Sequence, residues 1–382
     1  MQLLAKTLYG LEHVLADELQ ALGAQYVERL NRAVRFHGDR ALIYKANLWC
    51  RTALRILLPV HSYTARHKNQ LYNGVRRYNW QELLKSSDTL AVDTTLQNTY
   101  FSHSKFVSQK IKDAVVDQIR EREGKRPSVD LDQPTLRLNA HIYKNKVSLS
   151  IDTSGNSLHR RGYHVHSAAA PLNEVLGAGM IRLADWQGKS PLLDPMCGSG
   201  TIVTEAAMIA ANIAPGLNRS FGFETLNDFD HELWQTIKQE AKDAQQEPTA
   251  LIRGSDQSAR AIRSARINLQ TAGVDQHVTL QICSLDKLKP PVDQQGVIIT
   301  NPPYGERLGK DDLPGFYQTI GDKLKRSFPG WDAWLLSANP VAIKRIGLQT
   351  QNKLTLYNGQ LECKYLHYPL YQGSKKKKYA AQ

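Results

Sequence analysis

The chain has 382 residues, of which 41% are hydrophobic, enough for two or three domains with separate cores and too apolar for a disordered tail. Residues 1–20 lack a basic stretch followed by a long apolar run, and no later stretch approaches the roughly 18 uncharged apolar residues of a membrane span, so a soluble cytoplasmic protein is expected. The formal charge of +13 is unevenly placed, because residues 1–160 carry 24 Lys/Arg against 15 Asp/Glu whereas residues 161–374 carry 21 of each.

Residues 10–22 put Leu11, Val14, Leu15, Leu19 and Leu22 on one helical face, residues 26–36 turn to strand-like alternation, and a helix is expected over 40–57. A strand at 90–93 leads through Ser102-His103-Ser104-Lys105 into a helix at 106–122, a turn-prone stretch at 124–134, and strands at 135–143 and 146–152. The first 155 residues therefore read as a mixed α+β region.

Beyond residue 165 the rhythm changes to short apolar strands alternating with helices. A helix at 171–184 is followed by strands at 191–194, 250–254, 278–282, 296–300, 333–337, 353–358 and 361–370, the pattern of a doubly wound, mostly parallel sheet. The lysines at 375–378 are expected to form a solvated tail. A basic region beside an electrically neutral one suits a first part that holds a polyanion and a second that does chemistry, since neutralised phosphates drive sequence-independent nucleic-acid affinity.

Asp194-Pro195-Met196-Cys197-Gly198-Ser199-Gly200-Thr201 joins a strand to a helix at 202–213. Gly198 and Gly200 let the backbone turn sharply and approach a ligand closely. A glycine pair alone marks a turn as readily as a ligand, but an acid at the strand's end repels phosphate and suits a cation such as the amino group of a methionine moiety. The next strand ends at Asp256, whose carboxylate can accept from both hydroxyls of a ribose. The long spacing from Gly200 to Asp256 requires an insertion over 212–249.

The apolar run Val297-Ile298-Ile299-Thr300 enters Asn301-Pro302-Pro303-Tyr304-Gly305-Glu306-Arg307. An exocyclic base amine is a poor nucleophile because its lone pair is delocalised into the ring. Two acceptors on its N–H bonds, the Asn301 side-chain carbonyl and the Pro302 main-chain carbonyl, would turn that lone pair towards a methyl donor. Tyr304 offers a face for the extruded base. Asn339-Pro340, after another strand, reads as a plain turn. The four cysteines, Cys50, Cys197, Cys283 and Cys363, are far apart, so reduced thiols and no metal are expected. The three histidines of 159–166 lack the Cys or acidic partners of a metal site, and Arg160 and Arg161 there are candidate phosphate contacts.

Together these motifs resemble the THUMP-containing guanine-N2 RNA methyltransferases, most closely the branch that acts on bacterial 23S ribosomal RNA. The resemblance covers nearly the whole chain and rests on Thr7-Leu8-Tyr9-Gly10-Leu11-Glu12, residues 102–105, 158–163, 194–201, 214–219 and 301–307, and Asn358-Gly359-Gln360-Leu361-Glu362-Cys363. It implies an α/β chain with a ferredoxin-like subdomain (1–50), a THUMP RNA-binding domain (51–155), a connector (156–170), a Rossmann-like methyltransferase domain (171–374) and a basic tail (375–382). The implied cofactor is S-adenosyl-L-methionine, held by Asp194, Met196, Cys197, Gly198, Gly200, Asp256 and Asn301. Asn301, Pro302 and Tyr304 are the implied catalytic residues, and Ser104, Lys105, Arg160, Arg161, Tyr304 and Arg307 the RNA contacts.

One departure concerns the cofactor adenine: where relatives place an acid after the third strand, this chain has Ile282-Cys283-Ser284-Leu285-Asp286, so Ser284 or Asp286 is expected to make that contact. Some relatives carry a second methyltransferase after this region, and only the guanine-N2 activity carries over. The expected substrate is 23S ribosomal RNA or a pre-50S particle. The alternatives are a transfer RNA guanine-N2 enzyme, a DNA adenine-N6 methyltransferase and a non-catalytic RNA-binding assembly factor.

Overall fold

In the computed structural model of the chain, which describes residues 1–164, 172–292, 294–303 and 313–371, the leading residues already form a strand, β1 (Gln2–Thr7), that the hydrophobic pattern does not announce. It is followed by α1 (Glu12–Ala21), the hairpin β2 (Gln25–Leu30) and β3 (Ala33–His37), α2 (Arg40–Trp49) and β4 (Ala53–Thr64). The hairpin turns at Arg32, which takes a positive φ of 57°.

The helix expected over 40–57 is corrected here. The Asp39 side chain caps the start of α2 by accepting from the Leu42 N–H, but Cys50 leaves helical space with ψ at 113°. The apolar residues beyond serve a strand instead, burying Ala53 and Ile56.

The remainder of this part comprises α3 (Lys68–Val75), β5 (Thr89–Gln97), α4 (Ser104–Glu123), β6 (Ser128–Val129), β7 (Leu136–Tyr143) and β8 (Lys146–Asp152). Gly124 ends α4 in the left-handed region, where a residue without Cβ fits best. Among the described residues one eight-stranded sheet runs β2-β3-β1-β4-β8-β7-β5-β6. Strand β4 pairs with β1 along its first half and with β8 from Leu57 to Thr64, so the ferredoxin-like and THUMP-like parts share a single sheet. Alternate residues Leu136, Leu138, Ala140 and Ile142 of β7 pack with Val107, Ile111 and Val115 of α4 in the core.

The later elements are α5 (Glu174–Leu183), β9 (Leu192–Asp194), α6 (Thr201–Ala210), α7 (His231–Asp243), β10 (Ile252–Asp256), α8 (Ala259–Ala272), β11 (Val278–Ile282), β12 (Val297–Thr300), α9 (Leu313–Ser327), β13 (Asp332–Ser337), α10 (Pro340–Arg345), β14 (Asn352–Asn358) and β15 (Leu361–Pro369). They form a sheet of order β11-β10-β9-β12-β13-β15-β14, parallel except for β15, which lies antiparallel to both neighbours. This is the doubly wound α/β sheet of the Rossmann-like class. Strand β9 stands where the order reverses, with β10 on one side and β12 on the other, and ligands of such sheets bind beyond the carboxyl ends at that point.

The chain forms two compact units that interleave in sequence. The first contains Met1–Thr7, Ala16–Leu158 and Arg219–Gln239; the second contains Leu8–Leu15, His159–Asn218 and the residues from Glu240 onward. The middle of the insertion after Asn212 is thus part of the first unit. There Phe223 stacks on Tyr44 with ring centroids 4.3 Å apart, Trp234 meets Tyr44 edge-on, and the Asp230 N–H donates to the Tyr44 hydroxyl.

Candidate active site

Asp194 ends β9 with 2% of its surface exposed. Its Oδ1 accepts from the Met196 N–H at 3.2 Å and from the Thr300 hydroxyl at 2.8 Å. Burial pushes its carboxyl up to about 7 against the pull of the Thr300 and Met196 hydrogen bonds, and Asp256 adds to the shift.

The loop that follows is held from several sides. The Gly198 N–H donates to Asp256 Oδ2 at 3.0 Å, the Cys197 N–H to the Ser255 carbonyl at 2.9 Å, and the Asn268 amide to the Ser199 carbonyl at 3.0 Å. Gly200 caps α6 at φ 86°, and a Cβ there would lie 3.0 Å from that of Ala265 in α8. At Gly198, φ 53°, an added Cβ would meet nothing within 4 Å, leaving space above the loop.

Asp194, Met196, Cys197, Gly198, Asp256 and Asn301 line one cavity. Gly200 does not line it and acts through the turn instead. Asp256 Oδ1 also accepts from the Ser258 N–H, while Ser258 itself caps α8. The Asp256 carboxylate thus braces the loop while still facing the cavity.

Neither Ser284 nor Asp286 lines this space. Their neighbours Cys283 and Leu285 do, and a Ser284 hydrogen bond holds the exposed Asp286 carboxyl below its usual range. At this wall the cavity is lined by a thiol and an apolar side chain.

At the end of β12, Asn301 Oδ1 is buried and accepts no hydrogen bond among the described residues. Pro302 is buried behind it, and Pro303 reaches the cavity. Tyr304 and Arg307 lie outside the described residues.

Arg161 corrects another expectation. Its side chain is 2% exposed and its Nε lies 3.4 Å from Glu205 Oε1 inside the second unit, so it is not offered to phosphate. Tyr163 donates to the same oxygen at 2.9 Å, and His164 Nε2 lies 3.2 Å from the hydroxyl of Thr201, a residue of the cavity wall. Burial pushes Glu174 in this cluster up to about 7 and His164 down. Arg160 is exposed.

In the first unit, Ser104 and Lys105 are exposed at the start of α4. Asn145 at the β7–β8 turn accepts from the Thr99 hydroxyl and the Tyr100 N–H, which brings the exposed Tyr100 and Tyr143 and the cations Lys144 and Lys146 to one end of the sheet. The sequence motifs do not flag this grouping, because it arises from two loops about 45 residues apart in the chain.

Among the described residues no group of three His, Cys, Asp or Glu side chains is placed to hold a metal ion, and no helix is long and apolar enough to cross a membrane.

Comparison with known proteins agrees with this geometry. The family model described as RMKL-like, methyltransferase domain, matches residues 161–367, the THUMP domain matches 65–152, and the RlmL ferredoxin-like domain matches 2–57. The chain is 42% identical over 375 residues to a ribosomal RNA large subunit methyltransferase K/L of Syntrophotalea carbinolica, covering 94% of this chain and 52% of that protein. It thus spans about half the length of that relative. A putative RNA methyltransferase of Synechocystis sp. is 41% identical over 365 residues, 95% of both chains. The crystal structure of a putative methyltransferase complexed with SAH superposes with a TM-score of 0.88 at 30% identity, over 98% of this chain and 99% of that one. The chain belongs to the RMKL-like methyltransferases, with a THUMP domain and a ferredoxin-like domain preceding the catalytic one.

Proposed function

We propose that the chain transfers a methyl group from S-adenosyl-L-methionine to the exocyclic N2 amine of a guanine in 23S ribosomal RNA or a pre-50S particle. The observation that carries this reading is the pairing of two unspent groups in one cavity. Among the described residues Asn301 Oδ1 is a buried acceptor without a donor, and Asp194 is a buried acid without a cation. A buried acceptor left unmade costs about 1–3 kcal/mol, so its retention suits a ligand N–H. The acid suits the cofactor's ammonium group, and Asp256 suits ribose hydroxyls.

Held by Asp194 and Asp256, the cofactor would supply an electrophilic sulfonium methyl to the amine nitrogen, with the neutral thioether as leaving group. Asn301 and the Pro302 carbonyl hold the two N–H bonds and so orient that lone pair out of the ring's conjugation. They position and do not deprotonate; the product proton leaves to solvent after transfer. Tyr304 is read as the stacking face, and Ser104, Lys105, Arg160 and Arg307 as phosphate contacts. The THUMP domain, the basic first 160 residues and the large-subunit RNA methyltransferase relatives support RNA over DNA.

The test is incubation of the protein with labelled cofactor and, separately, 23S RNA, pre-50S particles, transfer RNA and DNA, followed by nucleoside analysis. N2-methylguanine in the ribosomal substrates is expected. Label confined to transfer RNA, or appearing as N6-methyladenine in DNA, would overturn the assignment.

A further inference from the structure

The two unspent groups are joined by one side chain. Thr300, the last residue of β12, is 1% exposed, and its hydroxyl donates to Asp194 Oδ1 at 2.8 Å across the β9–β12 junction. The Met196 N–H donates to the same oxygen. Among the described residues both hydrogen bonds to this carboxylate therefore end on Oδ1, which leaves Oδ2 as the atom available to a ligand. The residue after Thr300 is Asn301, whose Oδ1 is the buried acceptor.

We propose that Thr300 is a positioning residue that ties cofactor capture to amine capture: its hydroxyl turns the Asp194 carboxylate so that Oδ2 meets the cofactor's ammonium, and its backbone presents Asn301 to the substrate. This rests on the reading of Asp194 given above and is independent of which RNA or base is methylated. A second effect follows from the same hydrogen bond. A donor to a carboxylate favours its ionised form, so Thr300 opposes the upward push of burial on Asp194. Among the described residues the other titratable groups that face this acid are Asp256, which pushes it further up, and the Cys197 thiol and Tyr365 phenol, both held up first by their own burial and then by Asp194. Thr300 thus holds the Asp194 carboxyl below where burial alone would put it, together with the Met196 N–H.

The test uses Thr300→Val, which keeps the shape and removes the hydroxyl, and Thr300→Ser, which keeps the hydroxyl. Binding of S-adenosylhomocysteine and of 5′-methylthioadenosine, which lacks the amino-acid end, is measured calorimetrically from pH 5.5 to 8.5 without RNA. For the wild type, affinity for S-adenosylhomocysteine rises through about pH 7. Thr300→Val is expected to weaken that ligand about tenfold at pH 7 and to move the midpoint upward by roughly one pH unit. Its affinity for 5′-methylthioadenosine stays within about twofold, and Thr300→Ser restores both values, because the lost donor acts on the ammonium end alone.

Equal weakening of both ligands would mean that Thr300 merely supports the fold, and an unmoved midpoint in Thr300→Val would remove its role on Asp194. Either result overturns the inference while leaving the methyltransferase reading intact. A wild type that binds neither ligand would overturn that reading too.

Discussion

Two Asn-Pro steps follow neighbouring strands of one parallel sheet, and they use the asparagine amide in opposite ways. Asn339, after β13, caps α10: its Oδ1 accepts from the Val341 and Ala342 N–H groups at 3.0 and 2.9 Å, and Pro340 occupies the first turn, where its missing donor costs nothing. Asn301, after β12, lines the Asp194 cavity with its Oδ1 buried and unbonded among the described residues. The dipeptide is the same. What distinguishes a reaction centre from a turn is whether the backbone has already consumed the acceptor.

The sharpest way to break this comparison is to truncate both amides. Asn301→Ala is expected to lower single-turnover methylation about 10²–10³-fold, the range for removing a positioned polar group at a reacting centre. Its affinity for S-adenosylhomocysteine should stay within about threefold, and the thermal midpoint should not fall, because the amide's Oδ1 makes no hydrogen bond among the described residues. Equal loss of turnover and cofactor binding would reduce Asn301 to a structural turn.

A smaller effect is expected at Asp194. Asp194→Asn should weaken S-adenosylhomocysteine about 10- to 100-fold at pH 8 and flatten its pH dependence, as loss of one charge-assisted contact does. The stability consequence runs the other way. Asp194 and Glu174 both have folded values near 7, above their ordinary 3.8 and 4.5. Their stabilisation is complete below the unfolded values and is lost as pH rises through about 7. The cofactor-free Asn variant should therefore gain stability relative to wild type between pH 5 and pH 8, as read from urea midpoints. A constant difference across that range would show that Asp194 stays ionised in the fold.

The smallest effect sharpens the contrast from its other side. Asn339→Ala should cost about 1 kcal/mol of stability through the lost cap and leave methylation unchanged within error, measured by urea unfolding and single turnover.

The site was legible in the sequence wherever its residues are consecutive. Asp194 to Thr201 and Thr300 to Pro303 each sit on one strand end, and a short apolar strand running into Gly or Pro fixes their placement. Pairs formed across the fold were not legible. Arg161 reads as a phosphate ligand because a basic run looks the same whether it faces RNA or a buried carboxylate, and Glu205 is 44 residues away. The bonds from Thr300 to Asp194 and from Asn268 to Ser199 span 106 and 69 residues. The strand β4 was misread as helix because Leu54 and Leu57 continue a helical spacing, while pairing with β1 and β8 overrides that local preference.

The exchange of segments between the two units bears on how the protein is made. All eight described strands of the first sheet have been synthesised by Asp152, but Phe223, Phe229 and Trp234, whose rings meet Tyr44, emerge from the ribosome only after the Asp194 loop. Until then the nascent first unit carries an open aromatic socket. A fragment ending at Leu158 would keep that socket open for good, so a cut there does not give the first unit its whole core.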